Sequence, residues 1–142
     1  EKIRLEFDWT GTQDITSWLC IPKSIEYVGS LVDGGWEEIM EHNRNLAIEA
    51  RNIILEVLKT PKLCPDSMIV GLSAVALPGE GVATKSVLEP DPLHTLLFEK
   101  YNIQVPVFSW PHHNRRYLRT ASFLYNTIEE YVYLAEVLKK EI

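Results

Sequence analysis

The sequence has no excess of positive charge and no long hydrophobic run. Its 14 lysine and arginine residues are outnumbered by 20 aspartate and glutamate residues, which gives a net charge of −6. Because phosphate backbones are bound by basic surfaces, this balance argues against nucleic acid as the main partner. No apolar stretch approaches the roughly 20 residues of a membrane-spanning helix, and residues 1–4 do not have the pattern of a signal peptide. We therefore expect no membrane segment.

Cysteine and the common catalytic motifs are also scarce. Cys20 and Cys64 have no metal-binding spacing, and we interpret them as reduced thiols of a cytoplasmic protein, with a disulfide as the alternative. His42 and the pair His112-His113 lack further ligands at suitable spacing, so we expect no metal site. There is no Gly-x-Ser-x-Gly, no His-Glu-x-x-His and no phosphate-loop motif. If the chain takes part in catalysis, it carries only part of the machinery.

The clearest predicted helix follows the break at Asp33-Gly34-Gly35. Apolar side chains recur every three or four residues from Trp36 to Leu58, opposite a face of acidic and amide residues. At ~1.5 Å per residue this helix spans roughly 35 Å, which suits a strut between two lobes. We therefore divide the chain into residues 1–32, the end of a larger domain, and residues 33–142, a connecting helix and a small domain.

The first part is predicted to contain an extended arm and a helix. Residues 3–7 alternate between apolar and charged side chains, as in a strand. Asp14 or Thr16 can cap the following helix, which Pro22 is expected to kink or to divide into two pieces. Thr10-Gly11-Thr12, just before it, offers hydroxyl and backbone N–H groups to an anion, although such residues also occur as simple caps.

The second part predicts, after the long helix, a strand, a helix, two strands and a helix. Residues 67–77 are a nearly continuous apolar run, which is typical of a strand buried on both sides. A helix begins at Asp91-Pro92, residues 105–110 suit an edge strand, and Thr127 with Glu130 forms a capping box for the last helix. This order indicates an α+β fold, with a small antiparallel or mixed sheet and helices packed on one face.

Arg119 is the residue on which a function can be argued. If residues 117–125 form a strand, side-chain alternation places Arg119 on one face with Tyr117, Ala121, Phe123 and Tyr125. A guanidinium on a mostly apolar face needs an anionic partner, and its planar fork suits a carboxylate bound through two parallel hydrogen bonds. The alternative is an edge strand whose arginine side chains lie in water.

Several motifs follow one another in a recognisable order along the whole chain. They are Phe7-Asp8-Trp9-Thr10-Gly11-Thr12-Gln13-Asp14 with Ile21-Pro22, Gly35-Trp36-Glu37, His42-Asn43, Asp91-Pro92-Leu93, Val105-Pro106-Val107, and Arg119-Thr120-Ala121-Ser122 with Tyr125-Asn126-Thr127. Together they resemble the C-terminal third of the isopenicillin N epimerase-like branch of the class V aminotransferases. That third comprises the end of the large domain, the connecting helix and the small C-terminal domain.

The resemblance implies a pyridoxal 5′-phosphate (PLP) enzyme of fold type I that acts on an amino acid and is usually a homodimer. Arg119 matches the family arginine that binds the α-carboxylate of the substrate. Gly11 and Thr12 match the segment that contacts the PLP phosphate, typically in the neighbouring subunit. The family usually has a serine two residues after the arginine, where this chain has Ala121.

The resemblance also implies that the chain is incomplete as a catalyst. The Schiff-base lysine and the aspartate that supports the pyridine nitrogen would lie upstream, since Lys2 is too close to the Gly11 segment to be that lysine. We expect an epimerase-, aminotransferase- or desulfurase-like enzyme completed by its own N-terminal PLP domain, and no activity from this segment alone. The alternative is a non-catalytic dimerisation or binding module derived from such an enzyme.

Overall fold

The computed structural model describes residues 2–9, 11–79, 90–110 and 115–142. The chain divides into two compact units, Glu1–Trp36 and Glu37–Ile142. The pair His112-His113 lies outside the described residues. The assignment of the first unit to the end of a larger domain stays a prediction.

The first unit contains two helices, α1 (Lys2–Phe7) and α2 (Thr16–Gly29). The extended arm expected over residues 3–7 is wrong, because these residues are helical. A strand needs backbone partners from a second strand, and the described part of this unit contains no strand, whereas a helix satisfies most of its backbone internally. Pro22 lies inside α2, so the expectation of two separate pieces is also wrong.

Neither α1 nor α2 buries any residue. One close contact shapes the end of this unit: the Trp36 indole N–H donates to the Ile25 carbonyl at 3.0 Å, and its ring lies over Gly29. A Cβ at Gly29 would lie 2.8 Å from a Trp36 ring carbon, so the close approach requires glycine. The large apolar side chains of both helices, such as Trp18, stay exposed.

The second unit is an α+β domain with a three-stranded antiparallel sheet. Its strands are β1 (Leu72–Ala76), β2 (Val107–Ser109) and β3 (Arg116–Ala121), in the order β1-β3-β2. The register pairs Arg119 of the central strand with Ala74 of β1. The structure confirms the predicted fold class and the edge position of β2, whereas the assignment to PLP fold type I stays a prediction.

Three helices cover one face of this sheet. They are α3 (Gly35–Leu58), which confirms the long predicted helix, α4 (Pro92–Tyr101) and α5 (Ile128–Glu141). The core between the helices and the sheet is made of Ile54, Leu55, Val75, Leu77, Leu93, Leu97, Val107, Leu118, Leu134, Ala135, Val137 and Leu138. Each fully buried aliphatic side chain of this kind contributes about 1.5–3 kcal/mol, so this core dominates the stability of the unit.

The strand predicted over residues 67–77 is wrong in both length and burial. β1 has five residues and follows a short 3₁₀ helix at Asp66–Met68. Its inward side chain Val75 is 1% exposed, whereas its outward side chain Leu72 is 54% exposed. The described helices cover a single face, so the outward Leu72 stays exposed and the outward Ala74 and Ala76 are only partly buried.

Both predicted helix starts in this unit are confirmed. Asp91 caps α4, since its Oδ1 accepts a hydrogen bond from the backbone N–H of Leu93 at 2.9 Å. Thr127 and Glu130 form the capping box of α5, in which the Glu130 carboxylate accepts from the backbone N–H of Thr127 at 3.1 Å. Each cap satisfies backbone donors that the first turn of a helix leaves free.

A buried arginine that the sequence pattern did not single out lies on α3. The Arg51 side chain is 1% exposed, and its Nη2 donates to Asp66 Oδ1. Lys62 Nζ donates to the same carboxylate at 2.9 Å. The hydrogen bonds from Lys62 and from Arg51 lower the pKa of Asp66 below its ordinary value.

The Asp66 pair predicts a specific dependence of stability on pH. The pKa of Asp66 is lower in the folded state than in the unfolded state, where it is about 3.9. The ion pairs of Asp66 therefore stabilise the fold fully when the pH is above the unfolded pKa. Their contribution is lost as the pH falls through the folded pKa. We expect Asp66→Asn to lower the free energy of unfolding at pH 7, and to do so much less at pH 3. Urea unfolding at the two pH values measures this, and a difference that is the same at both would contradict it.

Candidate functional site

Arg119 lies on the outer face of the sheet, opposite the core. Alternation along β3 buries Leu118 and Thr120 and exposes Arg119. Tyr117 and Ala121 share the outer face with it, as expected from the two-residue period of a strand. The guanidinium therefore projects from a surface that is largely apolar.

The strand expected over residues 117–125 is too long. β3 ends at Ala121. The Asn126 side chain then accepts a hydrogen bond from the backbone N–H of Phe123 at 3.0 Å, and this local bond replaces the next bond of the ladder. Tyr125 consequently lies on a turn that leads into α5 and not on the face of the strand.

A cleft of about 440 Å³ opens beside Arg119. Its walls come from the connection between α4 and β2, the end of β3, the following turn and the first half of α5. Its polar side chains include one cation, one acid and several hydroxyl and amide groups: Arg119, Glu130, Tyr125, Tyr131, Tyr133, Asn126 and Gln104. This volume is in the lower range of small-molecule sites, so the cleft has room for a ligand the size of an amino acid.

The Arg119 side chain has no hydrogen-bond or ion-pair partner within residues 2–9, 11–79, 90–110 and 115–142. Its five N–H donors are therefore available to a ligand. A carboxylate can accept two parallel hydrogen bonds from such a fork, which fixes its orientation as well as its position. The arrangement is that of an anion-binding group at the rim of a cleft.

Arg116, three residues earlier on the same strand, has a different environment. It lies on the core side, and its Nε and Nη2 donate to the two carboxylate oxygens of Asp91 at 2.9 and 2.6 Å. The side chain is only 15% exposed, and Asp91 is the cap of α4. This bidentate pair joins β3 to the start of α4 and neutralises the Arg116 charge, so Arg116 is a structural residue and not the candidate for binding a substrate carboxylate.

Tyr131 of α5 holds the end of the strand that carries Arg119. Its phenol donates to the Ala121 carbonyl at 2.8 Å and lies 3.0 Å from the Ser122 hydroxyl. Burial raises the pKa of Tyr131, so the phenol keeps the proton that the carbonyl needs. The sequence pattern did not single out Tyr131, because both of its hydrogen-bond partners lie outside its own helix.

Gly11 and Thr12, the predicted contacts to a cofactor phosphate, belong to the first unit and are exposed before α2. Gly11 has φ +111°, a conformation that favours glycine. The Asp14 carboxylate accepts from the backbone N–H of Thr16 at 2.9 Å and from its hydroxyl, so a side-chain anion already binds at the start of this helix. A phosphate would therefore use the donors that precede Asp14.

Two further observations concern metals and membranes. Within the described parts of the chain, no group of three or more histidine, cysteine, aspartate or glutamate side chains could hold a metal ion. None of the described helices combines the length and the apolar character that crossing a membrane requires. Cys20 and Cys64 are free thiols, the first exposed and the second partly buried.

The sequence is similar to three plant proteins, while no protein-family model matches it. It is 28% identical over 144 residues to a probable chloroplastic L-cysteine desulfhydrase of Arabidopsis thaliana, covering 96% of this chain and 30% of that protein. It is 27% identical to a putative L-cysteine desulfhydrase 1 of Oryza sativa subsp. japonica, covering 96% and 31%. It is 31% identical to an L-cysteine desulfhydrase of Arabidopsis thaliana, covering 73% and 22%. The chain thus spans less than a third of the length of these relatives.

Proposed function

We propose that this chain is the C-terminal part of a PLP-dependent enzyme that acts on an amino acid, with L-cysteine as the first substrate to test. The relatives named L-cysteine desulfhydrase support this, since the similarity extends over 96% of the chain in two of them. They support the wider family of amino-acid enzymes and not an isopenicillin N epimerase in particular. Membership of the epimerase-like branch and the homodimeric state stay predictions.

The observation that carries the proposal is that the guanidinium of Arg119, which has no partner among the described residues, lines a cleft of amino-acid size. Amino acids share an α-carboxylate, and a fork-shaped cation on a largely apolar surface binds that group in one orientation. Arg119 would hold the substrate by its carboxylate and so place its Cα at a constant position. Tyr131 would keep the strand end rigid while this happens, through its bond to the Ala121 carbonyl.

Gly11 and Thr12 suit the phosphate group of PLP. Gly11 has a positive φ and no side chain, so a ligand can come close to its backbone. Thr12 supplies a hydroxyl and a backbone N–H, which are groups that bind phosphate. When bound, PLP supplies the electron sink for a carbanion at the substrate Cα. No lysine here matches the family position for the Schiff base, so the chain's contribution would be to bind and orient.

The second candidate is a non-catalytic dimerisation or binding module, and the exposed apolar side chains of α2 favour it. Trp18, Leu19 and Ile25 are all exposed on that helix, and Leu72 is exposed on the outer sheet face. Surfaces of this kind normally bind another protein or another part of the same protein. The same side chains would also be exposed here if the remaining domains of a longer enzyme covered them. The size of the natural gene product therefore distinguishes the enzyme from the binding module.

The test compares the full-length gene product with the isolated 142-residue chain. We expect the full-length protein to carry the visible absorbance of bound PLP and to release sulfide from L-cysteine, and the isolated chain to do neither. Mass measurement of the natural product belongs to the same experiment. A natural product of about this size, or a longer one without bound PLP, would favour the module. A cytoplasmic location stays a prediction.

A further inference from the structure

Glu130 is the one acid that lines the cleft beside Arg119 among the described residues. We propose that Glu130 determines substrate specificity by rejecting amino acids with an acidic side chain. The inference rests on the proposed function, because it needs the substrate carboxylate to bind at Arg119. It names the substrate class as amino acids with a neutral side chain, to which cysteine belongs.

The Glu130 carboxylate is held in place by its position in the capping box. Its Oε2 accepts hydrogen bonds from the backbone N–H of Thr127 and from Asn126 Nδ2, both at 3.1 Å. Two bonds to one oxygen limit the rotamers of an otherwise flexible side chain. At neutral pH a glutamate carries a full negative charge, so the cleft contains an anion at a defined place.

This anion lines the same cleft as the cation of Arg119. No ion pair within 4.0 Å joins Glu130 to Arg119 among the described residues. Neither charge is therefore cancelled by a direct contact with the other, and both are available to a ligand in this cleft of about 440 Å³.

A substrate anchored at Arg119 brings its side chain into this same small volume. A second carboxylate would then lie in the same cleft as the Glu130 charge, and like charges repel each other. The α-ammonium group is common to all amino acids, so its attraction to Glu130 does not discriminate between them. A thiol or an amide adds no charge and meets no such repulsion.

L-aspartate and L-asparagine provide an isosteric pair for the test, since they differ mainly in charge. Their inhibition constants are measured against L-cysteine turnover by the full-length enzyme. We expect the wild-type enzyme to bind L-asparagine at least about tenfold more tightly than L-aspartate. In Glu130→Gln we expect this ratio to fall close to one. Glutamine also suits this capping-box position, so the variant keeps the start of α5.

Glu129→Gln is the matched control. It removes one negative charge from the same first turn of α5, but Glu129 does not line the cleft. We expect its inhibition ratio to equal that of the wild type, and thermal unfolding compares the stability of all three proteins. A general effect of charge or of stability would change the ratio in both variants.

The outcomes separate this inference from the function on which it rests. Equal inhibition constants for the two amino acids in the wild type, or an unchanged ratio in Glu130→Gln, overturn the role of Glu130 while leaving the enzyme proposal intact. If Arg119→Ala leaves turnover and both inhibition constants unchanged, the proposed function fails and the role of Glu130 fails with it. The inference is supported if the wild type prefers L-asparagine to L-aspartate and if this preference is lost in Glu130→Gln but kept in Glu129→Gln.

Discussion

Arg119→Ala in the full-length enzyme is expected to reduce kcat/KM for its amino-acid substrate by a factor on the order of 10² to 10⁴, a loss of roughly 3–5 kcal/mol. The physical reason is that the substrate carboxylate loses its bidentate partner in a site that we expect the rest of the full-length enzyme to enclose. An uncompensated charge in such a place costs much more than an exposed ion pair contributes. Steady-state kinetics with L-cysteine measure the effect.

Two comparisons make this result specific to carboxylate binding. Arg119→Lys keeps the charge but loses the planar fork, so its kcat/KM should lie between those of the wild type and the alanine variant. Arg115→Ala removes an exposed arginine that does not line the cleft and should leave kcat/KM unchanged. Cysteamine, which lacks the carboxylate, should be processed equally by wild type and Arg119→Ala. An unchanged kcat/KM for L-cysteine in Arg119→Ala would remove the assignment.

Asp91→Ala is expected to lower the free energy of unfolding by about 3–5 kcal/mol, which is the largest effect on stability predicted here. The substitution removes both oxygens that accept from Arg116 and leaves that guanidinium without its partner in a nearly buried place. It also removes the cap of α4, worth about 1 kcal/mol by itself. Urea unfolding monitored by circular dichroism measures the change.

The two contributions of Asp91 can be separated with matched variants. Asp91→Asn keeps an acceptor for the Leu93 N–H but loses the charge, so it should be more stable than Asp91→Ala by about the value of a cap. Replacing Arg116 with leucine in the Asp91→Ala background removes the unpaired charge and should restore part of the loss. A loss below about 1 kcal/mol for Asp91→Ala would show that the Arg116 pair contributes little.

Predictions that depended on local hydrogen bonds were confirmed. The Asp91 cap, the capping box at Thr127 and Glu130, and the long helix α3 all agree with the structure. In each of these the atoms that interact lie within four residues of one another, so the sequence itself contains both partners. The order of elements in the second unit followed from the same patterns and from the period of two along the strands.

Predictions that equated apolar composition with a buried strand were wrong. Residues 3–7 alternate like a strand but are helical. Residues 67–77 are a nearly continuous apolar run but contain only a short strand, whose outward Leu72 is exposed. Burial is set by what packs against a surface, and a run of residues does not contain that information. The described helices cover one side of the sheet, so Leu72 of β1 stays exposed and Ala74 and Ala76 are only partly buried.

The sequence by itself determined the long helix α3, the starts of α4 and α5, the fold class of the second unit, and Arg119 as the candidate carboxylate-binding residue. Only the tertiary structure decided which arginines are free. Arg51 and Arg116 find aspartates 15 and 25 residues away, respectively, whereas the Arg119 side chain meets no such partner in the described part of the chain. The reason is that the sequence shows which side chains are charged, but only folding determines whether a distant segment places an opposite charge beside them. The same folding brought Glu130, recognised from sequence only as a cap, into the cleft of Arg119.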